Sequence, residues 1–153
     1  LRIHYRTAQG ACGEKIPHPQ TSADKAIQVK FVAPETPVMF PADHNRLTRV
    51  FRNLTDNAAE YTPRGGNVTV RLESDAQVVR ILYINTIDTL IPSDLPYIFE
   101  RFYRGEKSRS RQHGGAGIGL AIVKELVEAH KGKVGAACTD DGLLQILIEL
   151  PLK

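Results

Sequence analysis

The alternation of hydrophobic and polar positions changes period several times along the chain, and each change marks an element. Over IQVKFV (27–32) the alternation has a period of two, the mark of a strand with one buried face. VMF follows after Pro34 and Pro37, and the two stretches suggest a short strand pair. The period then lengthens. Leu47, Val50, Leu54, Ala58 and Tyr61 fall on one face of a helix over HNRLTRVFRNLTDNAAEY, with Asp43 placed to cap its start. TPRGG ends it. NVTVRLES and QVVRILYIN return to period two and predict an antiparallel pair joined near Ser74–Ala76. A loop through IPSDLP leads to IGLAIVKELVEAH, a second helix ending near His130, where Gly132 breaks the chain. KVGAAC and LLQILIEL then predict a closing hairpin about TDDG. Before all this, LRIHYR is compatible with a strand and TAQGACGEKIPHPQTSAD is a loop-like mixture. The expected architecture is α/β: a two-layer sandwich, one mixed sheet covered on one face by helices. Residues 1–26 form a less defined N-terminal segment of the domain whose body is 27–153.

Composition narrows the class. The 153 residues suit one domain, and the 42% hydrophobic and 24% charged shares are ordinary for a globular protein. The net charge is +3, and the positive excess gathers at 101–111. That concentration favours a local anion site over a nucleic-acid groove. Cys12 and Cys138 have no metal-ligand spacing and suggest no disulfide framework, which fits a reducing cytoplasm. No apolar run approaches membrane-spanning length and no signal-peptide pattern is present, so no membrane insertion by this segment is expected.

The densest chemistry lies in FERFYRGEKSRSRQHGGAGIGL (99–120). Gly114, Gly115, Gly117 and Gly119 lack side chains, so backbone N–H groups can approach anionic oxygens closely. The helix that follows points its partially positive start at the same place. The tether between, with Arg104, Lys107, Arg109 and Arg111, is too polar for a core and suggests a mobile lid. Glycine clusters more often mark ordinary turns. The order aromatic, basic, glycine, helix is the informative part, and it suits a polyphosphate. Asn53 and Asn57 stand at i, i+4 on the first helix, so both amides leave one side. Such a pair is usually a solvated flank, but an amide oxygen is also a suitable hard ligand for Mg²⁺.

Three of these stretches resemble a known family. NLTDNAAEYTPRGG looks like the asparagine box of histidine-kinase catalytic domains, members of the gyrase/chaperone/kinase/MutL ATPase superfamily. FERFYR is similar to their phenylalanine box, and GGAGIGLAIVKELVEAHKG to their second glycine box and its helix. The resemblance covers about residues 27–150 and implies a Bergerat-type ATP-binding fold with ATP and Mg²⁺ as cofactors. It implies that Asn57 holds Mg²⁺, that Asn53 contacts phosphate or the metal's water shell, and that Tyr61 lines the adenine pocket. Arg104 would approach the phosphates. Gly115, Gly117 and Gly119, with Ile118 and Leu120 between and after them, would form the lid hinge and phosphate cradle. Phe99 and Phe102 would anchor the lid or serve as core aromatics.

The departures from the family pattern are local. Where the first glycine box carries an aspartate or asparagine followed by glycines, this chain has NTIDTLIP. Asn85 takes the adenine-reading position, ahead of Asp88, which would need a register shift. Ile87 and Leu90 stand where small residues are frequent. Glu60 lies where a basic residue is common and is expected to be solvated. His4, His18, His44, His113 and His130 lack the acceptor context of a histidine followed by an acidic residue and then proline; His113 and His130 are expected on the surface.

The resemblance thus implies a catalytic domain that binds Mg·ATP and passes the γ-phosphate to a histidine on a separate dimerisation and phospho-acceptor helix of the same kinase. A response regulator would act downstream, in the cytoplasmic portion of a membrane-anchored sensor. Two rivals are a degenerate interaction module with weak nucleotide binding, favoured by the altered glycine box, and an ATPase or serine-kinase relative, disfavoured by FERFYR.

Overall fold

The computed structural model describes residues 25–88, 92–103 and 117–152. The strand reading of LRIHYR, the lid reading of the basic tether and Leu90 lie outside them. In chain order the elements are β1 (Gln28–Val32), α1 (His44–Tyr61), β2 (Asn67–Ser74), β3 (Val78–Thr86), a 3₁₀ turn (Pro92–Tyr97), α2 (Gly119–Ala129), β4 (Lys133–Cys138) and β5 (Leu143–Pro151).

Helix α1 starts where the sequence puts it. The Asp43 carboxylate accepts from the Arg46 N–H at 3.0 Å, satisfying one of the donors that the first turn leaves without a helical partner. Leu47, Val50, Leu54 and Ala58 are buried, as their spacing requires. Tyr61 is not: it is 36% exposed, and the apolar stripe ends at Ala58. The far end of the helix is held from outside. Lys25 Nζ donates to the carbonyls of Ala59, Glu60 and Thr62 at 2.9, 2.7 and 3.2 Å, which also fixes the entry to β1.

The sheet has five strands in the order β1-β2-β3-β5-β4. β1 pairs parallel with β2, and every other pair is antiparallel. The expected pairing of 27–32 with VMF therefore does not form. Two prolines separate these stretches, β1 is instead hydrogen-bonded along β2, and Met39 makes only an isolated bridge between buried Val38 and Phe40. IPSDLP is a 3₁₀ turn rather than an irregular loop, with Pro92 at its first position, where no N–H is needed.

Register aligns the inner face in rows. Val70, Tyr83, Ile146 and Ala136 form one, and Leu72, Ile81, Ile148 and Val134 another. Helices α1 and α2 pack over this face through Leu47, Leu54, Val123 and Val127, all 1% exposed or less. The cover stops short of β1, whose inward-facing Val29 and Phe31 remain exposed. The third row reads Val68, Asn85, Leu144, Cys138, and its second member is an amide 2% exposed. On the opposite face Arg80 bridges Glu149 at 3.0 Å and Asp75 at 2.7 Å.

Candidate nucleotide site

Two polar clusters lie at different heights along α1. At the first, Asn53 Nδ2 donates to the Arg49 carbonyl one turn back at 2.7 Å. That bond aims Oδ1 the other way, toward the start of α2: a Cβ added to Gly119 would stand 3.3 Å from it. The chain thus brings the asparagine helix against the glycine that opens the second helix, from opposite ends of the sequence. Only a residue without Cβ leaves the amide oxygen free space there.

The start of α2 is suited to an anion. Its N-cap is Ile118, which supplies no side-chain hydrogen bond to the first turn, so the leading N–H groups are not capped by a side chain. Gly117 precedes it at φ +67°, a conformation that side chains disfavour, and its carbonyl accepts from the Phe102 N–H at 2.9 Å. Leu120 turns its side chain into the core, so only its main chain can face the cluster. Phe99 packs against the core, whereas Phe102 is 74% exposed and anchors through its backbone. Arg104 and Gly115 lie outside the described residues.

At the second height Asn85 Nδ2 donates to Thr62 Oγ1 at 3.3 Å and to the Thr86 carbonyl at 3.2 Å. With both amide protons directed to the protein, the amide oxygen is the group left to receive a donor. Thr62 is fully buried at the C-cap of α1. Sequence reasoning missed it; its one signal was a hydroxyl residue next to Pro63 at the helix end. Asp88 is exposed beyond the strand end, which favours Asn85 over it as the buried polar group. Ile87 is partly buried against the core, and its N–H donates to the Gly142 carbonyl of the β4–β5 turn at 3.1 Å. Glu60 is half-buried rather than fully solvated. Asn57 sits between the two clusters, half-buried, one turn beyond Asn53. From Asn53 to Thr62 the helix advances ~13 Å at 1.5 Å per residue.

His130, expected on the surface, is a bridge instead. Its Nε2 accepts from the Asp43 N–H at 3.2 Å while its Nδ1 lies 2.7 Å from the Leu126 carbonyl, tying the start of α1 to the end of α2. Among the described residues no group of three His, Cys, Asp or Glu side chains could hold a metal ion, and no helix is long and apolar enough to cross a membrane.

A mixed sheet with helices on one face, and a glycine-led helix start beside an asparagine-bearing helix, is the architecture of a histidine-kinase catalytic domain. The family of histidine kinase-, DNA gyrase B-, and HSP90-like ATPases matches residues 42–153, and the chain belongs to it. It is 37% identical over 131 residues to the signal transduction histidine-protein kinase BaeS of Escherichia coli (strain K12), covering 86% of this chain and 28% of BaeS. Among solved structures, the mycobacterial sensor histidine kinase MprB is similar at a TM-score of 0.73 and 30% identity, over 86% of this chain and 88% of that one. Full-length ShkA in complex with AMPPNP is similar at 0.72 and 26% identity, over 86% of this chain and 27% of ShkA. The chain therefore spans only a minor part of the longer kinases it matches.

Proposed function

We propose that the chain binds Mg·ATP along α1 and delivers the γ-phosphate to a histidine on a dimerisation and acceptor helix elsewhere in a two-component sensor kinase. The observation that supports this best is the pair of polar clusters on one helix. A buried amide with its oxygen available stands at one end, and an oriented amide beside an uncapped helix start stands at the other. That spacing suits a purine at Asn85 and Thr62 with the triphosphate running toward Gly119. Tyr61, exposed beside Thr62, is placed to cover the base.

The donor set fits Mg²⁺. Asn57 offers a hard amide oxygen, and a magnesium ion needs few protein ligands when phosphates and water supply the rest. When bound, the ion would neutralise charge on the phosphate oxygens. The chain's own groups position. The N–H groups opening α2 hold the terminal phosphate, and Asn53 Oδ1 accepts from a water or from the N–H of the incoming imidazole. The imidazole nitrogen then bonds to the γ-phosphorus as the bond to the bridging oxygen breaks, and ADP leaves. A response regulator receives the phosphoryl group afterwards.

A fluorescent-nucleotide titration with and without Mg²⁺, followed by transfer of labelled phosphate to an added acceptor-helix domain, tests this. Metal-dependent binding with transfer is expected; binding that ignores Mg²⁺, or none, overturns it. The packing of Ile87 against the core and Gly142, where the family pattern is glycine-rich, favours a second reading as an interaction module. That reading requires no nucleotide binding at millimolar ATP.

A further inference from the structure

Helix α1 carries arginines at 46, 49 and 52 in its N-terminal half, and its first turn has no acidic residue. Cations near a helix start oppose the helix dipole, so their placement costs local stability and calls for a reason. Arg46 is accounted for by Asp43, 3.5 Å away. Arg49 and Arg52 are exposed and, among the described residues, form no ion pair.

Both line a groove of about 410 Å³ between α1 and α2, together with Thr48, Asn53, Asp56 and Ile122. Two guanidinium groups face one carboxylate there, so the groove is net positive. Its wall includes Asn53, whose oxygen faces the start of α2, so an occupant would lie next to the transferable phosphate.

We infer that this groove receives the acidic face of the helix carrying the acceptor histidine, with Arg49 and Arg52 pairing its carboxylates. The inference rests on the proposed kinase reading. Charge complementarity selects the partner: the acceptor histidine expected for such a kinase is followed by an acidic residue, and the groove offers Arg49 one turn before Asn53 to meet it. Exposed guanidinium–carboxylate pairs of this kind steer and register a partner more than they tighten it. The arginines are positioning residues. They do not hold the nucleotide.

The test uses the whole 153-residue chain saturated with Mg·AMPPNP and a fluorescein-labelled, helix-stabilised peptide bearing a histidine followed by glutamate. A second peptide has glutamine in place of the glutamate. Anisotropy at low salt should show the Arg49→Ala, Arg52→Ala double variant binding the glutamate peptide about fivefold to tenfold more weakly than the parent does. The two proteins should bind the glutamine peptide equally, and raised salt should erase the difference. Nucleotide affinity of the double variant should stay within about twofold of the parent's, a tolerance well below the tenfold of 1.4 kcal/mol. Unchanged affinity for the glutamate peptide, or no binding of it by the parent, overturns the inference. A parallel loss of nucleotide affinity also overturns it, because the arginines would then serve the triphosphate. Failure of the parent to bind nucleotide is read separately, in the titration without peptide, and counts against the kinase reading instead.

Discussion

Asn85 shows how much one side chain can depend on its neighbours. A carboxylate at this position would accept more strongly from an adenine amino group than a neutral amide does, about 1.5–3 against 0.5–1.5 kcal/mol. The amide, however, donates to Thr62 Oγ1 and the Thr86 carbonyl, and an aspartate can donate to neither. Asn85→Asp is therefore expected to raise ATP affinity several-fold while lowering stability by about 1 kcal/mol, as the Thr86 carbonyl loses its donor. Paired nucleotide titrations and thermal melts check both signs; a gain in stability would refute the bonding described. Asn57 has a different signature. If its oxygen is a metal ligand, Asn57→Ala should reduce Mg·ATP affinity much more than metal-free affinity and leave the melting temperature nearly unchanged. Equal losses with and without Mg²⁺ would remove it from the metal site.

Among the elements, the α2–β4 junction is the tightest. Gly132 is readable in the sequence as the residue that stops the helix, yet the left-handed turn is made by Lys131 at φ +59°. The N–H of Gly132 returns to the Val127 carbonyl and that of Lys131 to Glu128, the pairing that closes a helix end with a left-handed residue. Gly132 is small for another reason: a Cβ there would stand 2.5 Å from the Glu149 carbonyl and 2.8 Å from Leu150 Cδ2. Gly132→Ala should cost about 1–3 kcal/mol through overpacking against β5. Gly135, two residues into β4 with nothing within 4 Å of a Cβ, should accept alanine without loss. Urea unfolding of the two variants separates them, and equal midpoints would contradict the close approach.

For the whole molecule, the acid limit of stability is partly set on the open face of the sheet. The N–H of Gln77, then the Arg80 guanidinium, then the N–H of Val78 hold the Asp75 carboxyl down at about 2. Its native value lies below the ordinary 3.8, so the unfolded chain binds the proton more readily. The contribution is therefore complete above that ordinary value and disappears as pH falls through about 2. Asp75→Asn should lower stability at neutral pH and flatten its decline between about pH 4 and 2. Urea midpoints measured across that range test it, and parallel curves for parent and variant would show that other carboxylates set the limit.

The sequence by itself determined the helices, the β2–β3 and β4–β5 pairs and the Asp43 cap, because each rests on local periodicity or a neighbouring donor. It also singled out Asn53, Asn57, Asn85 and the glycines, through motif order. Tertiary structure decided what depends on distant partners: that β1 joins β2 rather than VMF, that Thr62 holds Asn85, that His130 links two helices, and that Gly119 leaves room for Asn53. It also turned Tyr61 outward, since the core ends at Ala58. Periodicity reports which face of an element is apolar. Only packing reveals how far the neighbouring element extends, and which polar groups are left inside to meet each other.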